Sequence, residues 1–205
     1  MKKPHKANLE FDKLRQVTTG ILAAFAKIVE THDPFTMGHQ HRVAQLAIAI
    51  GEELGLPYEQ IEALHVAGNI HDIGKINIPA EILCKPAQLN QTEFDIVKDH
   101  PKTGYNILNG IEFPWPIAQI VLQHHEKKDG SGYPYGLTEK SILPEAKILA
   151  VADVVEAMTN PRSYRKAKSI EDAMDFLSQK VDVLYNPNIV VACQNVFVRE
   201  KFQFV

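Results

Sequence analysis

Cysteine is scarce in this 205-residue chain, and long apolar runs are absent from it. The two cysteines, Cys84 and Cys193, lie far apart and match no metal-ligand spacing, so we predict isolated thiols and no disulfide framework. Nowhere do eighteen uncharged apolar residues follow one another, and no apolar stretch follows the N-terminal lysines. We therefore expect a cytoplasmic protein with no membrane insertion.

Excess positive charge is also missing, since the net charge is -3 and the pI is about 6.3. Proteins that bind long nucleic acids present broad Lys and Arg surfaces that displace counterions, so this charge argues against such a partner. Any anionic ligand must then meet a local basic cluster. Internal repeats and low-complexity tracts are absent, and with 45% hydrophobic residues the chain can bury one full core.

Apolar residues recur at helical spacing, with turn residues between the runs. Two stripes are predicted to pack inward as helices. They consist of Leu14, Val17, Ile21, Phe25, Ile28 and Val29, and of Val43, Leu46, Ala47, Ile50 and Leu54. The fold class that this pattern predicts is all-α, a single-domain bundle of about seven or more helices over residues 13–200 that follows a flexible segment, residues 1–12.

Several further helix boundaries can be predicted. Pro57 opens a third helix that ends near His71, and a helix after Pro116 ends at His124. Others are expected over residues 145–158 and after Pro187. Histidines therefore mark predicted helix ends.

Capping signals place the remaining helices. Asn90 with Glu93 predicts an N-cap and a short helix that Pro101 interrupts, and Ser169 with Asp172 predicts another N-terminus. The first of these helices brings another histidine, at position 100, to a helix boundary.

The chain has nine histidines, and five of them lie at or near predicted helix boundaries. These five are His39, His71, His100, His124 and His125. The other four, His5, His32, His41 and His65, are expected on helix surfaces or as caps. Consecutive helical residues diverge by about 100° around the axis, so a doublet such as His71-Asp72 can serve one metal cluster only where a helix end points at it.

Asp153 lies in an otherwise apolar run, residues 148–155. A buried carboxylate needs a compensating partner, which here is a metal ion, an arginine or the end of a neighbouring helix. A loop rich in glycine and basic residues, residues 127–136, directly follows His125 and could receive a phosphate group. Together with the His doublets, these features indicate a metal-dependent phosphohydrolase.

These segments, in their order along the chain, resemble the HD-GYP family, a subgroup of the HD phosphohydrolase superfamily. The matching segments are Asp33-Pro34-Phe35-Thr36-Met37-Gly38-His39, His71-Asp72-Ile73-Gly74-Lys75, His100-Pro101, the run from His124 to Pro134, and Val151-Ala152-Asp153. The resemblance implies a helical fold and phosphodiesterase activity on bacterial cyclic dinucleotides, above all cyclic di-GMP. It also implies metal ligation, usually of iron or manganese, by His39, His71, Asp72, His100, His124, His125 and Asp153.

The chain departs from this family at one position. Some members place a carboxylate four residues before the first histidine for a third metal, and this chain has Phe35 there. We therefore predict two divalent metal ions, with Asp72 as their bridge and a metal-held hydroxide as the nucleophile. Lys75 is predicted to reach a phosphate oxygen beside the metals, and the alternative is a solvated lysine.

The resemblance also suggests substrate contacts outside the ligand set. Gly132, Tyr133 and Pro134 are expected to shape a loop that receives the phosphate or the base, unless that loop only stabilises the fold. Arg162 and Arg165 lie in a basic segment after Asp153, and guanidinium groups suit both phosphate and guanine. The alternative for this segment is a solvated basic turn.

Two other functions remain open at this stage. One is a non-catalytic module that binds a nucleotide or a partner protein. The other is an HD enzyme acting on a different phosphorylated substrate, such as a nucleotide, the hybrid GMP-AMP ring or a linear dinucleotide. The sequence also leaves open an upstream sensor or receiver domain, a homodimer, and the final product.

Overall fold

A computed structural model of the protein describes residues 4–33, 36–161, 166–199 and 202–204. Throughout these ranges the regular structure is helical and no β-strand forms, so the predicted all-α class is confirmed. The helices are α1 (Pro4–His32), α2 (His39–Glu53), α3 (Tyr58–Ile70), α4 (Ala80–Leu83), α5 (Gln91–Val97), α6 (His100–Leu108), α7 (Ile117–Gln123), α8 (Pro144–Thr159), α9 (Ile170–Lys180) and α10 (Pro187–Arg199). Across the described part of the chain, none of them combines the length and the apolar character needed to cross a lipid bilayer.

Helices α2, α3 and α8 form the centre of the core, and α10 closes it on one side. The predicted second stripe is confirmed, because Val43, Leu46 and Ile50 of α2 are fully buried. Helix α3 approaches α2 closely at Gly68, where a Cβ atom would lie 2.6 Å from the Cα atom of Ala44. The absence of a side chain at Gly68 therefore sets the distance between these two helices.

The prediction of which side chains of the first helix face the core is wrong for most of the stripe. Four apolar side chains of the expected inward stripe are exposed, namely Val17, Ile21, Phe25 and Ile28. Helix α1 instead docks through Leu22, Ala26 and Val29, which are spaced by four and three residues. The sequence offers two apolar faces on this helix, and periodicity alone does not rank them.

Both predicted capping signals are confirmed. Asn90 and Glu93 form a reciprocal capping box at the start of α5, and Ser169 and Asp172 form another at the start of α9. The expectation that Pro101 interrupts a helix is wrong, because α5 already ends at Val97 and Pro101 lies in the first turn of α6. Proline suits that position, where a missing N–H group costs no helical hydrogen bond.

The helix ends bring the predicted chemistry to one place. His39 and His100 begin α2 and α6, whereas His71 and His124 are the C-caps of α3 and α7. Asp153 lies within α8, which packs on both α2 and α3. This arrangement places side chains from five helices around a single point.

Replacing Gly68 with Ala should destabilise the protein. The added methyl group would meet α2 backbone, so we expect a loss of about 1–3 kcal/mol in the free energy of unfolding, measured by urea denaturation. Gly20→Ala is the matched control, since that exposed position of α1 has no described atom within 4 Å of a new Cβ. The control should be neutral or stabilising by up to about 1 kcal/mol. Equal losses in both variants would contradict this account of α2–α3 packing.

Candidate metal centre

Seven side chains meet in the interior of the bundle, and they are the seven predicted as metal ligands: His39, His71, Asp72, His100, His124, His125 and Asp153. Their donor atoms form three overlapping groups, each within a span of 4.8 Å. The groups are His39 with His71 and Asp153, His71 with Asp72 and His124, and His100 with His124 and His125. Sequence positions more than a hundred residues apart thus converge on one cluster.

Asp72 lies at the centre of this cluster. Its Oδ2 atom is 3.6 Å from Nε2 of His39 and 3.6 Å from Nε2 of His71. Its Oδ1 atom faces the other way and lies 3.3 Å from Nε2 of His100. The two oxygens of one buried carboxylate therefore point at two different sets of imidazoles, which is the arrangement of a bridging ligand.

Three of the imidazoles are oriented in the same way. The Nδ1 group of each donates to the backbone carbonyl three residues earlier, which leaves Nε2 with its lone pair directed into the cluster. The pairs are His71 with Gly68 at 2.8 Å, His100 with Val97 at 2.8 Å and His124 with Val121 at 2.6 Å.

These lone pairs fit a divalent metal ion. Nε2 of His71 is buried and has no hydrogen-bond partner within the described residues. Nε2 of His100 lies 3.2 Å from Nε2 of His124, so two lone pairs face each other once both Nδ1 atoms are protonated. A buried acceptor without a donor is costly, and a cation satisfies several such atoms at once. The residues present therefore fit a metal centre.

The protonation states agree with this fit. Burial, together with the neighbouring rings of His71 and His100, lowers the pKa of His124 to about 3, so the ring is neutral as a ligand must be. Burial would raise the pKa of Asp72, but the charges of Lys75 and His71 hold it well below its usual value. His124 and Asp72 are thus in the protonation states that a metal ion requires, a neutral imidazole and an ionised carboxylate.

His39 shows how strongly negative the other side of the cluster is. Burial alone would lower the pKa of this ring, but hydrogen bonds to Asp153 and Glu156 and the charges of both raise it to about 9. Nε2 of His39 lies 3.3 Å from Oδ1 of Asp153. The same carboxylates that raise the pKa of His39 would favour a metal cation at Nε2 in place of the proton.

Sequence patterns did not indicate the residues that orient His39. The Nδ1 group of His39 donates to Oε2 of Glu156, which is fully buried. The other oxygen of that carboxylate, Oε1, accepts from Nε and Nη2 of Arg42 at 2.9 and 2.7 Å. Glu156 follows Asp153 by three residues on α8, and Arg42 follows His39 by three on α2. This i, i+3 spacing on two helices was the signal that could have identified the pair.

Lys75 lies in the cluster and pairs with Asp72, a contact that the sequence did not predict. Its Nζ atom lies 2.7 Å from Oδ2 of Asp72, so it compensates a buried carboxylate. Its contact with a substrate phosphate stays a prediction.

The residue before Lys75 must be a glycine because the backbone of α6 lies very close to it. A Cβ atom at Gly74 would lie 2.0 Å from the carbonyl oxygen of His100. The bare backbone lets this segment lie against the start of α6.

The loop after His125 folds back on the end of α7. The buried carboxylate of Glu126 accepts hydrogen bonds from the N–H groups of Tyr135 and Leu137 at 2.8 Å each. Glu126 is another residue whose role the sequence patterns did not indicate. At Gly132 a Cβ atom would meet the backbone nitrogen of Lys127 at 2.4 Å. Gly132 therefore allows a close backbone approach, as in the fold-stabilising alternative, and its contact with substrate stays a prediction.

Tyr133 packs directly on two of the candidate ligands. Its ring centroid is 4.7 Å from that of His125, at an interplanar angle of 34°, and 6.5 Å from that of His100. A cis peptide bond joins Tyr133 to Pro134. The loop thus covers the imidazoles of the second half of the cluster.

Three residues named in the sequence analysis lie outside the described part of the structure. They are Phe35, Arg162 and Arg165. The expected absence of a third metal ligand and the expected arginine contacts therefore stay predictions.

The family model for the HD domain matches residues 23–189 of this chain. Among curated relatives, the chain is 38% identical over 173 residues to the cyclic di-GMP phosphodiesterase response regulator RpfG of Xanthomonas campestris, covering 83% of this chain and 46% of the relative. It is 39% identical to a cyclic di-GMP phosphodiesterase of Thermotoga maritima (84% and 47% covered) and 36% identical to 3'3'-cGAMP-specific phosphodiesterase 1 of Vibrio cholerae (78% and 37% covered). The chain thus spans about half or less of the length of these relatives.

Solved structures show the same fold. The HDGYP protein Bd1817 of Bdellovibrio bacteriovorus superposes with a TM-score of 0.66 at 20% identity, covering 78% of this chain and 51% of that one. The HD domain of PgpH from L. monocytogenes gives 0.61 at 20% identity, with 86% and 96% covered. The helical fold and the His and Asp cluster are those of an HD domain, and the chain belongs to the HD domain family. Within it, the chain is a member of the HD-GYP group.

Replacing Glu156 with Gln should weaken metal binding at the half of the cluster that contains His39. The amide keeps the shape of the side chain but removes the charge that orients the imidazole, and such outer partners typically affect metal affinity by about 10- to 100-fold. Competition between the protein and a chelator for Mn²⁺ measures this. Glu59→Gln, an exposed position of α3, is the matched control and should bind Mn²⁺ as the unaltered protein does. Unchanged affinity in the Glu156 variant would show that the hydrogen bond only supports the fold.

Proposed function

We propose that the protein is a metal-dependent phosphodiesterase that hydrolyses cyclic di-GMP at a dinuclear centre. The observation that supports this most directly is Asp72, whose two oxygens face two separate sets of imidazoles. The names of the relatives, which include cyclic di-GMP phosphodiesterases of two organisms, support the reaction and the substrate class.

The residues divide naturally between two ions. His39, His71 and Asp153 would hold one with Asp72, and His100, His124 and His125 would hold the other with Asp72. This set combines imidazole and carboxylate and lacks thiolate, which suits several first-row divalent ions, and we propose iron or manganese. When bound, such a pair supplies a hydroxide nucleophile at neutral pH and charge stabilisation for the phosphoryl oxygens.

The protein's own groups would position the substrate against this centre. The ammonium of Lys75 offers three donors, and it is 14% exposed beside Asp72, so we propose that one donor contacts a non-bridging phosphate oxygen when substrate binds. Tyr133 covers His125 and would restrict water access from that side. We further propose contacts from Gly132, Pro134, Arg162 and Arg165, on the resemblance of their sequence segments to the family.

The hybrid GMP-AMP ring is a second candidate substrate. The observation that favours it is the 36% identity to a Vibrio cholerae relative named as specific for 3'3'-cGAMP. Cytoplasmic location, an upstream sensor or receiver domain, a homodimer, and the 1–12 and 13–200 division of the chain stay predictions from the sequence.

The direct test is to purify the protein anaerobically, count and identify its metals, and offer it cyclic di-GMP beside the hybrid ring while products are followed by chromatography. We expect about two divalent ions per chain, cleavage of cyclic di-GMP, and loss of cleavage after chelation that metal addition reverses. A metal-loaded protein that binds the ring but never opens it would identify a binding module instead.

Replacing Asp72 with Asn should abolish the activity. The neutral amide cannot bridge two cations, so we expect the metal content to fall and turnover to decrease by more than about 100-fold. Asp175→Asn is the matched control, because that aspartate is exposed on α9, outside the cluster. Full turnover in the Asp72 variant would eliminate the proposed centre.

A further inference from the structure

A row of aromatic rings leads outward from the histidine cluster. The ring of Tyr133 packs on His125 at 4.7 Å and meets Phe94 edge to face at 6.4 Å and 80°. Phe94 is 43% exposed. The row therefore begins among the candidate metal ligands and ends at an aromatic side chain that solvent reaches.

Phe94 is held on a fixed support. It lies in α5, whose first turn is closed by the Asn90–Glu93 capping box, and Lys85 ties Glu93 down with a contact of 2.6 Å. The edge-to-face contact with Tyr133 fixes the orientation of the ring. The combination of an exposed aromatic face with a nearby polar cluster is what small-ligand sites use, apolar surface for contact and a few polar groups for orientation.

A cation lies beside this ring. Nζ of Lys98 is 5.1 Å from the ring centroid of Phe94, within the range of a cation–π contact. Lys98 also pairs with Asp95 at 2.6 Å, but both side chains are substantially exposed, at 31% and 55%. Exposed pairs of this kind contribute little, so the ammonium can turn to a ligand at small cost.

We propose that Phe94 is the stacking surface for one guanine of the cyclic dinucleotide and that Lys98 donates to the O6 and N7 acceptors of that base. This inference rests on the proposed function, since it requires a nucleotide phosphate at the histidine cluster. Aromatic side chains stack on any base, which gives affinity without discrimination. Lys98 gives the discrimination, because adenine presents an amino donor where guanine presents O6, and an ammonium cannot accept.

Phe94→Leu tests the stacking surface, since leucine keeps an apolar side chain for packing but has no aromatic face. We expect KM for cyclic di-GMP to rise by about 5- to 100-fold, kcat to stay within about twofold, and the metal content to be unchanged. Phe94→Trp should retain the KM of the unaltered protein. Tyr58→Ala, an exposed aromatic position at the start of α3, is the control and should change nothing.

Two results for Phe94→Leu would overturn the proposal. One is an unchanged KM, and the other is a parallel loss of kcat and bound metal, which would indicate a role in the fold. Lys98→Met should reduce the preference for cyclic di-GMP over cyclic di-AMP by about tenfold. An unaltered preference would remove Lys98 from base recognition.

Equilibrium binding separates this inference from the proposed function. The metal-loaded protein could bind cyclic di-GMP without cleaving it, with binding weakened by Phe94→Leu and not by Phe94→Trp. That result would contradict the proposed phosphodiesterase activity and support the proposed stacking surface. If the protein cleaves the ring with equal KM in all variants, the activity stands and the stacking surface is wrong. Absence of any binding by the unaltered protein overturns both.

Discussion

The structure depends on one electrostatic constraint: seven His and Asp side chains lie together in the interior, where neither ionised carboxylates nor unsatisfied imidazole nitrogens are tolerated alone. Asp72 shows the solution most clearly, since its oxygens are shared between His39, His71, His100 and Lys75. Burial makes each of these contacts stronger than it would be in water and makes the loss of any partner costly. The cluster is therefore stabilised as a set, in which Lys75 supplies a positive charge beside Asp72.

The surrounding helices maintain this set through an outer layer of contacts. Glu156 joins His39 to Arg42, and so links the start of α2 to the middle of α8. Glu126 holds the backbone of the loop that carries Tyr133 over His125. Neither carboxylate is a candidate ligand, yet each one fixes the position of a candidate ligand or of its cover. The site and the core are consequently parts of the same packing arrangement.

The convergence of the seven ligand-type residues was expected from the resemblance to the HD-GYP family, and sequence patterns predicted the helical class and both capping boxes because local chemistry specifies these features. They did not predict which apolar face of α1 docks, since Ile21 and Leu22 are equally apolar and only the tertiary partner distinguishes them. They missed Glu156 because its partner Arg42 lies more than a hundred residues away. They did not predict the ion pair between Lys75 and Asp72, which forms because the buried carboxylate needs a nearby cation. Tertiary electrostatics thus decided what local periodicity left open.

The three imidazole contacts to backbone carbonyls have a consequence for helix length. Gly68, Val97 and Val121 all lie in the last turn of a helix, where the carbonyl groups have no amide partner within the helix. One hydrogen bond therefore completes a helix terminus and selects the tautomer of a ring at the same time. At α3 and α7, one further residue of helix would give that carbonyl to a backbone N–H group, whereas at α5 Pro101 has no N–H to donate and so leaves the Val97 carbonyl to the imidazole. The point at which α3, α5 and α7 stop is thus coupled to the orientation of three candidate ligands.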